Sequence, residues 1–285
     1  MAEVTEADVS VIKPDCRSAL ALEQQAEDIA VGKANNTVGR TFVLAIMAGI
    51  MIGMGALFMT FVKADKTLGF AASSILGGLC FSLGLMCVII AGSELFTGNC
   101  LMVIAAGSKR ISWGAVVKNW VTVWIGNFAG SLILVGIVFG CGLMGTQAGD
   151  NTIGAQMVSV ASGKIGLDPS QIFFRGIMCN LLVCLAVWMG FAGRTVIDKV
   201  FTSIFPVMAF VAMGFEHCVA NMFFLPMGVI ASQSGYGAVV LTWGGVFYNI
   251  GFATLGNIVG GAVFVGLIYW LAYHKKESGD VEAAR

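Results

Sequence analysis

The sequence predicts an all-α polytopic membrane protein, with six transmembrane helices in an inverted repeat and the second and fifth helices broken. Three observations carry this. The chain of 285 residues is 58% hydrophobic and only 11% charged, whereas soluble proteins average about 25% charged. Several apolar runs reach the roughly 20 residues that a helix needs to cross a bilayer. Two polar interruptions of those runs share one skeleton, G-x-E-x-x-x-x-N: Gly92 to Asn99 and Gly214 to Asn221.

Residues 1–40 are polar and of mixed charge, without the short apolar core of a removable signal peptide. Within them, Ser18 to about Asn35 reads as an amphipathic helix. Leu20, Leu22, Ala26, Ile29 and Ala30 are its apolar face, and Glu23, Gln24, Glu27 and Asp28 are its polar one. Such a helix lies on the bilayer surface or on a protein rim; a solvated arm is the alternative.

The first span is Thr41 to Val62, with Gly49, Gly53 and Gly55 offering a small-residue face for close helix contact. The second runs from Gly69 to Gly92 and meets the first interruption. Apolar character then resumes for only Cys100 to Gly107, a rise of about 12 Å against a core of about 30 Å. That span is therefore predicted to be broken. The third, Trp113 to Met144, holds Gly126-Asn127-Phe128-Ala129-Gly130. A polar loop is expected over 145–170, with Lys164 its only basic residue. The fourth, Ile172 to Ala192, carries Asn180 near its middle.

After a charged turn at 193–199, the fifth element runs from Phe201 to Gly214, through the second interruption, to a short run from Met222 to Ala231. The sixth is Val246 to Tyr273, with Gly256-Asn257-Ile258-Val259-Gly260. Residues 274–285 form a polar tail. Twelve of the sixteen Lys and Arg fall in 1–40, 107–118, 193–199 and the tail, which by the positive-inside rule places both termini in the cytoplasm.

Two motifs recur in the same order, G-x-E-x-x-x-x-N and then G-N-x-x-G, at offsets of about 120–130 residues. This argues for a duplicated three-span unit, 41–144 and 171–273, on either side of the 145–170 loop. Three is odd, so the second copy enters the bilayer upside down, as in transport folds that handle substrate at discontinuous helices near the midplane.

Acidic and basic residues balance at 16 each, giving no electrostatic case for nucleic acid. Eight cysteines form no C-x-x-C and only two histidines exist, so zinc and iron–sulfur sites fail on ligand count. No cofactor is expected.

Glu94 and Glu216 are the only acidic residues inside the apolar runs, at equivalent repeat positions. An intramembrane carboxylate faces protein or a water-filled cavity. Each is read as accepting hydrogen bonds from backbone freed by its own break, with proton carriage as the alternative. Asn99 and Asn221 are read with them. His217 has no twin, since its counterpart is Leu95, and one imidazole in a helix break is a candidate proton donor and acceptor. The half-helices after each break aim unpaired N–H groups and a positive dipole end at one central volume, which suits an anion. An intramembrane enzyme using Glu216 and His217 would need a nucleophile or metal set that the spacing does not supply.

The chain from about residue 40 to 273 resembles the formate/nitrite transporter family. The resemblance rests on Ala91 to Asn99, Gly126-Asn127, Asn180 to Met189, and Gly214 to Phe223. It is closest to formate channels in Met222 to Met227 and in Gly193 to Lys199, while Ser93 to Asn99 is shared with nitrite and hydrosulfide members. The resemblance implies an aquaporin-like protomer in a homopentamer, each protomer with its own pore, in a prokaryotic inner membrane. It implies that Phe81, Leu85, Leu95 and Phe96 form a cytoplasmic-side constriction and Phe210 the opposite one. Thr97 and His217 would meet substrate at the centre, with Asn180 as the central amide and Lys164 attracting anions to the vestibule. The substrate expected is a small weak-acid anion, formate first, then nitrite, hydrosulfide and acetate, with His217 as proton relay.

Overall fold

The computed structural model describes residues 17–274. Residues 1–16 and 275–285, with Cys16 and the basic tail beyond His274, lie outside the described residues.

Helix α1 (Ala19–Asn35) is capped by Ser18, whose hydroxyl accepts from the Ala21 N–H at 3.3 Å. It packs on the protein rather than standing off as an arm, and it buries Glu23 and Glu27 together with Leu22, Ala26 and Ala30. The face read as polar is thus partly an inward one. The first three-span unit is α2 (Val38–Ala64), α3 (Phe70–Ala91), the broken continuation α4 (Phe96–Asn99) with a 3-10 turn at Cys100–Met102 and α5 (Val103–Gly107), and α6 (Trp113–Gly140).

The segment 145–170 is not the simple loop expected. A two-stranded hairpin, β1 (Gln147–Ala148) and β2 (Asn151–Thr152), leads into a 13-residue helix, α7 (Ile153–Ile165). Thr152 caps it, and Ile153, Met157, Val158 and Ala161 form a buried stripe at helical spacing. The second unit follows: α8 (Pro169–Ala192), α9 (Val196–Ala212), α10 (Cys218–Gln233) and α11 (Trp243–Ile258), which continues through a π-helical stretch (Val259–Leu267) into α12 (Ile268–Tyr273). Helix α9 starts inside the turn expected at 193–199, because Thr195 and Asp198 form a reciprocal capping box.

Among the described residues, five helices, α2, α3, α6, α8 and α11–α12, are long and apolar enough to cross a membrane, and the 17-residue α9 with the broken continuation α10 makes the sixth span of the fold. Their outward faces carry Phe58, Ile125, Ile133, Phe174 and Phe247. The two units cross their first and third helices through glycine. A Cβ at Gly130 would collide with the Ile46 carbonyl, and one at Gly260 with the Ile177 carbonyl, so both crossings need the smallest residue. Near Gly260, Gly261 abuts Asn180, Cys184 and Cys100, and there the sixth span loosens into its π turns. An even number of crossings places both described ends on one face, called here the terminal face. The α7 side is the loop face.

Candidate functional site

Each break begins where a glycine takes up left-handed backbone, Gly92 at φ 80° and Gly214 at φ 70°, a conformation that other residues adopt at a cost. The chain then runs extended for a few residues, and buried extended backbone must find partners. Glu94 N–H donates to the Leu44 carbonyl and Glu216 N–H to that of Arg175, both at 3.3 Å. Asn127 does the rest at the first break. Its Oδ1 accepts from Phe96 N–H at 2.9 Å, and its Nδ2 donates to the carbonyls of Ala45 and Glu94. Asn257 repeats this at the second, with Cys218 N–H at 2.9 Å and the carbonyls of Gly176 and Glu216. Both amides are fully buried.

The carboxylates, expected to accept hydrogen bonds from the freed backbone, accept from side chains instead. Glu94 accepts from Asn99 Nδ2 at 2.6 Å and pairs with Lys33 of α1 at 2.8 Å. Glu216 accepts from Asn221 Nδ2 at 2.6 Å and pairs with Lys164 of α7 at 2.9 Å. Behind them, Asn99 donates to Asn119 and Asn221 to Asn249. The two buried negative charges are thereby neutralised by lysines on helices outside the six spans.

The half-helix N-termini meet at Thr97 and His217. His217 caps α10: its Nδ1 accepts from Ala220 N–H at 3.0 Å. The ring proton of the neutral imidazole therefore sits on Nε2, which lies 3.0 Å from Thr97 Oγ1 and donates to it. Phe210 stacks on the imidazole with centroids 5.8 Å apart, and Phe81 meets Phe210 edge-on at 5.7 Å.

Two cavities approach this centre from opposite faces. The one at the terminal face has a volume of about 640 Å³. It carries Arg17, Lys33, Arg194 and Lys199 on its walls and ends on Leu85 and Leu95. The one at the loop face, about 240 Å³, carries Lys63, Lys164 and Arg175 and ends on Phe81, Phe210, Phe224 and His217. Leu85 and Phe81 are one turn apart on α3, so the septum between the cavities is about one helical turn, ~6 Å, thick. Thr97 is fully buried within it.

The structure thus gathers His217, Thr97, Leu85, Leu95, Phe81, Phe210 and Lys164 around one axis. Two expected residues stand off it. Asn180 donates its Nδ2 to the carbonyls of Thr97 at 3.2 Å and Asn257 at 2.7 Å, which braces the centre from behind. Phe96 packs on Trp120 at 6.2 Å and borders neither cavity. Sequence reasoning missed Lys33, Asn127, Asn257 and Phe224 as site residues. The two asparagines had a signal, the repeated G-N-x-x-G; Lys33 had only its 131-residue offset from Lys164.

The family profile described as Formate/nitrite transporter matches residues 21–271. The formate channel FocA of Escherichia coli K12 is 38% identical over 267 residues, covering 89% of this chain and 93% of that protein. A probable formate transporter of Methanothermobacter thermautotrophicus is 39% identical, covering 87% and 94%. A solved structure described as a pentameric formate channel with formate bound is 41% identical, with a TM-score of 0.75, covering 84% of this chain and 98% of that one. A second, described as an FNT family ion channel, is 31% identical with a TM-score of 0.78, covering 88% and 98%. These relatives are named as channels and transporters.

Proposed function

This chain belongs to the formate/nitrite transporter family, and from that premise we propose that it is a membrane channel for small weak-acid monovalent anions, formate first. It works as a homopentamer, as the pentameric formate-bound neighbour supports, and each protomer has its own pore, as the two cavities within one chain support. It sits in a prokaryotic inner membrane with both ends, and hence the larger cavity, on the cytoplasmic side.

Lysines and arginines in both cavities raise the local anion concentration. The septum of Leu85, Leu95, Phe81 and Phe210 then strips water from the ion, and a bare carboxylate in such a slot is costly. The observation that carries the reading is the Thr97–His217 pair, which supplies polar hydrogens inside an otherwise apolar septum. Nε2–H and the Thr97 hydroxyl first donate hydrogen bonds to the anion. The anion's charge then favours uptake of a second proton at Nδ1 from cavity water. The imidazolium gives its Nε2 proton to the anion, and the neutral acid crosses. The ring resets when Nδ1 loses its proton and Nε2 regains one from water. Charging the ring costs the Ala220 hydrogen bond to Nδ1, so proton uptake is coupled to the anion's arrival rather than standing ready.

The test is side-by-side uptake of formate, nitrite and hydrosulfide into liposomes across a range of pH. His217→Phe is expected to abolish the pH dependence of formate flux and to blunt discrimination. Unchanged selectivity and pH dependence in that variant would sink the relay.

A further inference from the structure

Away from the pore, α1 and the end of α12 meet at Glu23, Glu27 and His274. Glu23 and Glu27 are one turn apart on α1, a spacing at which like charges repel, and both are buried. His274 Nδ1 lies 3.6 Å from Oε1 of each, and the three ligand atoms all fall within 4.8 Å of one another. Around a four-coordinate ion with ligands at 2.0–2.2 Å, neighbouring ligand atoms are about 3.4 Å apart. The two imidazole–carboxylate distances are close to that.

The charges do not close. Arg110 takes Oε2 of Glu27 at 3.1 Å and Asp28 at 2.8 Å. Oε1 of Glu23 is buried and accepts no hydrogen bond, although the side chain is only 3% exposed. Among the described residues, His274 is its one basic contact. The surroundings hold the donors in place: Trp270 stacks on His274 at 5.4 Å and donates to Ser108 Oγ at 2.9 Å, and the Ser108 hydroxyl bonds Glu27. Such outer contacts orient metal ligands.

We propose that Glu23, Glu27 and His274 bind a divalent transition-metal ion, with water as fourth ligand, and that the ion staples α1 to the end of the last span. Two carboxylates with one imidazole suit zinc-like ions better than magnesium or calcium. Helix α1 also walls the larger cavity through Gln25, Ala26, Ile29, Ala30 and Lys33, so the ion fixes that wall. The assignment is independent of which anion is transported.

Tag-free, EDTA-treated protein in detergent is titrated with Co²⁺ and followed by its visible absorption, then back-titrated with Zn²⁺. One Co²⁺ per chain, displaced by Zn²⁺, is expected. His274→Ala and Glu23→Gln, checked for intact assembly by gel filtration, each weaken binding at least tenfold, while Asp28→Asn leaves it unchanged. Zn²⁺ slows amide exchange across α1 in the parent and not in His274→Ala. Substoichiometric binding, or parental affinity in His274→Ala, overturns the site. Displacement of Co²⁺ by equimolar Mg²⁺ overturns the transition-metal assignment, and binding without protection of α1 overturns the staple.

Discussion

The two helix breaks are built alike but differ in the residue that follows the carboxylate. Both start on a left-handed glycine, hold a carboxylate between an asparagine and a lysine, and hand three buried backbone groups to one distant asparagine. Yet the residue after the carboxylate is Leu95 in one and His217 in the other. The bilayer demands the brace twice, because unsatisfied backbone is costly in each copy. It makes no such demand for an imidazole, so that difference points to chemistry. The lysines also differ in anchorage: Lys164 sits on α7, enclosed between the two units, whereas Lys33 sits on α1, near the described N-terminal end.

The largest effect should come from the shared brace. Asn127→Ala and Asn257→Ala each strand three buried backbone groups, at about 1–3 kcal/mol apiece. Both variants should lose most folded protein, read as yield of assembled material and as melting in detergent. If one is tolerated and the other is not, the breaks are not structurally equivalent.

A smaller effect is expected at the lysines. Lys164→Met and Lys33→Met each leave a buried carboxylate without its counter-ion, a change that costs about 3–5 kcal/mol for fully buried pairs and less here, since both lysines are partly exposed. Melting should fall more for Lys164, the less exposed of the two. A larger fall for Lys33 would reverse the ranking of the anchors.

The mildest change makes the second break resemble the first. His217→Leu removes the cap on α10, worth about 1 kcal/mol, so the protein should assemble and melt only slightly lower. A collapse in assembly would mean that the histidine is part of the brace after all.

This contrast also explains what could be read from the sequence. Glu94, Glu216 and His217 stood out because charge and imidazole are rare in apolar runs, and the repeat offset separated the paired residues from the unpaired one. Asn127 and Asn257 were visible as a motif, but their targets lie up to 82 residues away, and spacing alone does not reveal such partners. Helix α7 was hidden because a polar average over 145–170 masks a short apolar stripe. The Glu23–Glu27–His274 cluster was invisible for the same reason of distance: its imidazole comes from the far end of the chain, and Glu23 and Glu27 had the look of a solvent face. Asn180 reads equally as an amide lining the pore or as a bond between helices, and its Nδ2 bonds to the Thr97 and Asn257 carbonyls are of the second kind.

The thinness of the septum has an electrical consequence. Water-filled cavities conduct well relative to a plug of leucine and phenylalanine, so a voltage across the membrane falls mainly over the single turn between Leu85 and Phe81. Moving one elementary charge through 100 mV amounts to about 2.3 kcal/mol, delivered here over a few ångströms beside the Thr97–His217 pair. A permeating anion thus meets nearly the whole driving force at the septum, while a neutral acid at the same point meets none.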